Sequence, residues 1–259
     1  MKNIFKTSYL VILLLLGIQQ VNAAEKVELL KVDWSFKGLF GKFDRGSLQR
    51  GYQVYTEVCA SCHSMKYVSY RNLFEPGGPE FTEDQAKAIA ASFEVTDGPN
   101  NDGEMFIRPA KLSDKFVMPF ANVKAAQAAN GGAYPPDMSV LAKARSGGVN
   151  YIYSVLLGYE DPPNGVTLDD GVYYNKYMYG NNIKMSQPLS DGLVEYSDGT
   201  VASQKQMAKD VTTFLMWAAE PHLEARHKMG FKAILYLIIL TILVYFSMKK
   251  IWSRIESEV

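Results

Sequence analysis

The stretch Val58-Cys59-Ala60-Ser61-Cys62-His63 decides how this chain is read: two thiols three positions apart, and a histidine directly after the second. This is C-x-x-C-H, the signature of covalent c-type haem attachment. The requirement is geometric. Thiols about one helical turn apart reach two vinyl groups on one porphyrin edge and form thioethers, and the adjacent imidazole then meets the iron from one face of the ring. Covalent attachment also keeps the haem bound in an exported protein, where a lost one is not easily replaced. Three other readings compete. A thioredoxin-type redox pair needs an alternation of strands and helices that is missing here. A zinc site needs further ligands, and the other two histidines, His222 and His227, sit beside an apolar C-terminal segment. A plain disulfide between the only two cysteines leaves His63 unexplained.

The second axial ligand decides between electron transfer and chemistry at an open iron, because a His/Met haem has no free coordination position and a raised potential. His222 and His227 lie too near the apolar segment, so methionine is the candidate. Met65 is too close to His63 to reach the opposite face, and Met207 and Met216 belong to an amphipathic helix where core packing explains them. Met229 and Met248 flank or belong to the apolar segment. Met105, Met118, Met138, Met178 and Met185 remain, and the pattern prefers Met178 or Met185 without separating them. The propionates of a buried haem need donors, and Arg108, Arg145 and nearby tyrosines are the available type.

Moving outward, the two ends differ. Lys2 and Lys6, the apolar run Tyr9–Ile18 and the small-residue site Val21-Asn22-Ala23, with Ala24 an equal alternative end, read as a secretory signal over residues 1–24. It lacks the Arg- and Ser-rich character of a mitochondrial transit peptide, which points to a bacterial periplasm. Ala233–Met248 holds 16 uncharged residues, about 24 Å of helix against a hydrocarbon core of about 30 Å. Lys232, Lys249 and Lys250 can snorkel to extend it, and Tyr236, Tyr245 and Trp252 suit the interfaces. The expectation is one membrane span over 230–250 and a cytoplasmic tail over 251–259, in keeping with the positive-inside rule.

Between the ends, 25–229 reads as one domain of short helices joined by long Gly- and Pro-rich loops. Helices are expected over Ser47–Val58, Thr82–Phe93 with Thr82 and Gln85 as capping box, Pro136–Arg145, Asn150–Leu157 closed by Gly158, and from Ser203, paired with Gln206, to a stop at Pro221. Gly158–Tyr196 has little periodicity and is too long for an ordinary connection, which suits a functional loop. The 27 basic and 27 acidic side chains cancel, leaving no electrostatic footprint for nucleic acid. Without the signal and the tail from Gly230 onward, 21 basic face 25 acidic side chains, a slight bias toward basic partners.

From about Asp33 to Ser253 the chain resembles the cytochrome c1 family, the haem subunit of quinol:cytochrome c oxidoreductase. The resemblance rests on Arg50 through Met65, Arg108-Pro109 with Leu112-Ser113-Asp114, Ala129 through Asp137, Ala144-Arg145, Gly158-Tyr159 with Pro162-Pro163, and Asp210 through Pro221. It implies a mainly α, class I cytochrome c-like haem domain with long loops and a single C-terminal transmembrane helix. It also implies one haem c on Cys59 and Cys62, with His63 and Met185 on the iron. Met185 falls where the family's ligand precedes a proline-containing stretch (Met185-Ser186-Gln187-Pro188) and a Glu195-Tyr196-Ser197-Asp198-Gly199-Thr200 turn. Arg145 and Tyr151 fall where the family binds propionates, and Asn130 and Pro136 in the block that lines the haem pocket. Lys184, before the ligand, and Asn72 depart from common residues of the family. The implied role is non-catalytic: one-electron relay from the Rieske iron–sulfur subunit to cytochrome c, in a membrane complex with cytochrome b that is dimeric. The rival is a stand-alone membrane-anchored cytochrome c serving a terminal oxidase, and a third reading is a haem enzyme or gas sensor with an open iron.

Overall fold

The computed structural model describes residues 27–256; the secretory signal expected over 1–24 lies outside the described residues. Among the described residues there are seven α-helices: α1 (Arg45–Val54), α2 (Glu83–Ala91), α3 (Val123–Ala129), α4 (Leu141–Ala144), α5 (Gly148–Leu157), α6 (Gln204–Ala219) and α7 (Leu223–Glu256). Two short antiparallel pairs accompany them, β1 (Glu94–Asp97) with β2 (Phe106–Pro109) and β3 (Tyr173–Tyr174) with β4 (Asn182–Ile183). The fold is mainly helical, with one long apolar helix at the C-terminal end.

Helix α1 begins where Asp44 accepts from the Ser47 amide and packs most extensively on α6. The close approach depends on Gly51, where a Cβ would lie 2.2 Å from the Asp210 carbonyl oxygen and 2.7 Å from Phe214 Cβ. The seam is held by charge as well. Arg50 donates to both oxygens of the fully buried Asp210, at 2.9 and 3.2 Å, and to Asp198 at 2.7 Å. A buried carboxylate is tolerated only with such partners. Around the seam lie the buried Tyr52, Tyr55, Phe116, Phe214 and Trp217, with neighbouring ring centroids 5.3–6.0 Å apart in edge, tilted and, for Tyr55–Phe116, stacked geometries.

Several caps stand where local sequence places them. Thr82 and Gln85 form the reciprocal capping box of α2, Ser203 accepts from the Gln206 amide at the start of α6, and α5 closes at Gly158. Helix formation over Ser47–Val58 is corrected in part. The α-geometry stops at Val54, and Tyr55–Cys59 forms a π-helical turn. Helix formation over Pro136–Arg145 is corrected more sharply, since only Leu141–Ala144 is helical. Residues 136–139 are drawn into other bonds: Asp137 accepts from Ser64 Oγ and from the Lys66 and Ser139 amides, and Ser139 Oγ accepts from the Tyr67 amide. Four bonds across and along this turn outweigh one turn of helix, whose nucleation is costly.

The loop expected over Gly158–Tyr196 carries more structure than its lack of periodicity suggests. The fully buried Asn175 donates to the Val155 carbonyl and accepts from the Tyr177 amide, and the Lys176 amide returns to the Gly158 carbonyl. Helix α7 starts at Leu223, earlier than the apolar run itself. Its 34 residues make about 51 Å of helix, its apolar stretch has a mean hydropathy of 2.2, and none of that stretch is buried by the described residues. A helix of this length and composition fits a transmembrane anchor.

Candidate functional site

Helix α1 delivers the chain into Cys59 through the π-helical turn, in which the Ala60 amide reaches back five residues to the Tyr55 carbonyl at 2.8 Å. Wide turns of this kind re-aim the residues that follow and cluster at functional sites. The Cys62 and His63 amides both return to the Cys59 carbonyl, at 3.1 and 2.9 Å. One closed turn thus carries both thiols and the imidazole. Both thiols are free and partly exposed at residue level. Burial of the Cys59 sulfur pushes its thiol up to about 12, which keeps it protonated and unlike an activated redox thiolate.

His63 is 9% exposed, and its Nδ1 stands 2.8 Å from the Pro136 carbonyl oxygen. A carbonyl can only accept, so Nδ1 carries the proton and Nε2 keeps its lone pair. A ring held through one nitrogen with the other free is how ligating histidines are oriented. Burial favours the neutral imidazole against the opposing pull of the Pro136 bond. The Tyr55 hydroxyl donates to the His63 carbonyl at 3.2 Å, and the Met138 amide donates to the Ser64 carbonyl at 2.8 Å. The aromatic seam and the 136–139 turn therefore grip the motif from two sides.

The segment containing Asn130 and Pro136 bridges two parts of the site. At one end the Pro136 carbonyl takes His63; at the other, the Gly131 carbonyl accepts from Lys184 Nζ at 3.2 Å. Gly131 and Pro136 are five residues apart, which limits their separation to about 17 Å. Met185 follows Lys184, is half-buried, and has its carbonyl held by the Tyr159 hydroxyl at 3.0 Å. Met178 is occupied differently, since Tyr151 stands with its hydroxyl 3.1 Å from the Met178 sulfur. Tyr159 and the carbonyls of Pro136 and Gly131 are contributions that residue types did not single out. The Gly158-Tyr159 pair was visible in the sequence, but a backbone carbonyl has no sequence signature.

The remaining residues make bonds of their own. Asn130 caps α3, with its side chain on the Ala126 carbonyl at 2.7 Å. Arg145 is exposed at the end of α4, and among the described residues its side chain bonds only to the neighbouring Ala144 carbonyl, at 3.4 Å. Arg108 is committed elsewhere: it joins Asp97 and, at 2.6 and 3.1 Å, both oxygens of Asp114. Its guanidinium staples the β1–β2 pair to the segment that follows, which explains the pairing of Arg108-Pro109 with Asp114 in the sequence. Among the described residues no group of three or more His, Cys, Asp or Glu side chains converges on a common metal position.

A family model described as the cytochrome C1 family matches residues 34–255. A "Cytochrome b/c1" of Bradyrhizobium diazoefficiens is 52% identical over 239 residues, covering 85% of this chain and 35% of that protein, so the chain spans about a third of that relative's length. A "Cytochrome c1-2, heme protein, mitochondrial" of Solanum tuberosum is 48% identical over 248 residues, 94% of each chain. A "Cytochrome c1" of Rhodospirillum rubrum is 46% identical over 256 residues, 93% of each.

Proposed function

The chain belongs to the cytochrome c1 family, and from that premise we propose that it is the haem subunit of a respiratory quinol:cytochrome c reductase, passing electrons from a Rieske iron–sulfur protein to cytochrome c. Members of the family are haem proteins of respiratory electron transport. Its complex contains cytochrome b, in keeping with the relative in which the two names are joined, and is dimeric.

The observation that carries this reading is the orientation of His63. The Pro136 carbonyl fixes one ring nitrogen and leaves the other free, directly after two thiols on one helical turn. This donor set fits haem c. Cys59 and Cys62 would hold it as thioethers, and His63 Nε2 and Met185 would ligate the iron. When bound, the haem supplies a single one-electron carrier, ferric or ferrous. The rest of the work falls to the chain. Tyr159 restrains the backbone of Met185, Pro136 restrains the ring of His63, and the aromatic seam under the motif keeps water from its inner side. Arg145 is exposed and bound to no acid among the described residues, which leaves it available to a propionate, and Tyr151 and Asn130 lie on the neighbouring elements. A chain with both axial positions filled has no room for substrate, which matches a relay better than an enzyme.

The domain 25–229 stands in the periplasm, the anchor crosses the bacterial inner membrane, and the Lys249-Lys250 end faces the cytoplasm, as the positive-inside rule favours. Residues 1–24 are removed as a signal.

Two measurements test the reading. Met185→Leu abolishes the methionine–iron charge-transfer band and lowers the reduction potential; an unchanged band would exclude Met185 as ligand. Extraction from native membranes in mild detergent brings down a b-type cytochrome and an iron–sulfur protein with the chain. Purification alone favours the anchored shuttle, and tight carbon monoxide binding by the reduced protein favours an open iron.

A further inference from the structure

Residues 34–43 form a tight turn beside the top of α7. The Lys37, Gly41 and Lys42 amides close back onto the carbonyls of Trp34, Gly38 and Ser35. The backbone is wound so closely that a Cβ at Gly41 would lie 2.3 Å from the Phe36 and Lys37 carbonyl oxygens, and Gly38 has φ +85°. Trp34, Phe36 and Phe43 are buried on either side. Yet Leu39 and Phe40, at the tip, are 77% and 74% exposed. A turn braced this firmly displays two large apolar side chains to the outside.

Where they are displayed is set by α7. The Phe40 ring lies 5.9 Å from that of Phe231, and His227 Nδ1 reaches the Gly41 carbonyl at 3.3 Å. A span needs about 20 apolar residues, and the uncharged run from Ala233 has 16. Sharing the shortfall between the two ends places Phe231, and so Phe40, at the edge of the hydrocarbon. A cavity of about 240 Å³ opens between turn and helix, walled by Leu39, Phe40, Phe231, Lys42, Lys228 and Lys232. The acid in that wall, Glu224, has both oxygens on Arg45, at 2.8 and 3.0 Å, and accepts from the Phe43 amide. Lys42, Lys228 and Lys232 are exposed, and among the described residues none joins an ion pair.

We propose that the 38–42 turn is a second membrane contact: Leu39 and Phe40 enter the interfacial layer of the bilayer next to α7, and Lys42, Lys228 and Lys232 take the headgroup of an anionic phospholipid in the cavity between them. Apolar depth below and unpaired positive charge above are the two halves of an interfacial lipid site. One helix alone leaves a domain free to swivel about its axis; a second contact about one helix-width away removes that freedom. The site depends on the anchor and not on the haem.

The test uses the full haem-loaded chain in vesicles of phosphatidylcholine mixed with phosphatidylglycerol. A photo-reactive benzophenone amino acid is placed at position 40 and, separately, at position 237 within the anchor, and the adducts are read by mass spectrometry. Position 40 is expected to cross-link to lipid, with phosphatidylglycerol over-represented, and each of Lys42→Gln, Lys228→Gln and Lys232→Gln lowers that enrichment about fivefold while leaving the haem absorption spectrum unchanged. Lipid adducts at 237 with none at 40 overturn the contact. Equal use of the two lipids, or enrichment indifferent to the lysines, overturns the headgroup assignment. In native membranes, an adduct from position 40 to another polypeptide overturns the lipid as occupant. Absence of lipid adducts at 237 removes the anchor itself, and the inference with it.

Discussion

Asp210 has no exposed surface on its side chain, and its two oxygens are satisfied by Arg50 and by Gln206, which donates at 3.0 Å. Removing Arg50 strands a buried charge, a far greater loss than that of a surface ion pair. Arg50→Ala is expected to lower the unfolding free energy of the haem-loaded protein by about 3 kcal/mol, read by denaturant titration in detergent; a change under about 1 kcal/mol would mean that the pair counts for no more than a surface ion pair. Asp137 is the corresponding residue near the motif. Its carboxylate collects Ser64, Lys66 and Ser139 and so shapes the turn that presents the Pro136 carbonyl to His63. The partners that decide these roles, Arg50 for Asp210 and Ser64 and Lys66 for Asp137, lie more than 70 residues away. No spacing rule in the sequence could have assigned them.

At the scale of elements, the α1–α6 seam is the frame on which the motif hangs, and Gly51 is its tightest point. Gly51→Ala forces a methyl into the space of the Asp210 carbonyl. It is expected to cost about 2 kcal/mol through overpacking, seen as a lower thermal midpoint with an unaltered haem spectrum; an unchanged midpoint would show that the two helices slide apart without penalty. The capped helices α2, α5 and α6 were legible in the sequence because a cap and its helix are neighbours in the chain. The segment 136–140 was not legible. Its residues permit a helix, and tertiary hydrogen bonds withdraw it. The β1–β2 pair was equally silent, since each strand has four residues and its main brace, Arg108, acts across the following turn.

At the scale of the molecule, acid and membrane set the working limits. Asp198 is lowered to about 2 by the Thr200 amide and Arg50. Asp114 is lowered by Arg108 and the Lys111 amide, and Asp97 by Arg108. Carboxylates depressed in the folded state stabilise it above their unfolded pKa, about 4, and lose that contribution as pH falls toward the folded value. Stability is therefore expected to hold level above about pH 5 and to fall between about 4 and 2, checked by thermal unfolding against pH; a flat curve through that window would contradict these pairings. Helix α7 is joined to the domain through Glu224 with Arg45 and through Glu220 with Lys143 and Arg226, all before the uncharged run. A chain ending at Lys232 keeps these bonds and is expected to move from the membrane pellet to the supernatant with its haem spectrum intact. Retention in the pellet would show that something other than the span holds it.

The amino-acid sequence alone determined the haem-attachment motif, the apolar anchor and the capped helices, and it narrowed the second ligand to Met178 or Met185. All of these are local, being patterns of residue type within a few turns of chain. The family resemblance then selected Met185. Only the tertiary structure decided which groups serve the motif: that a proline carbonyl orients His63, that Tyr151 faces the Met178 sulfur while Tyr159 holds the Met185 backbone, and that Arg108 is bound to Asp97 and Asp114. The first three of these pairings join segments 26 or more residues apart through single hydrogen bonds, two of them to backbone. The energy that selects them comes from packing, and packing leaves no periodic trace in the residues it brings together.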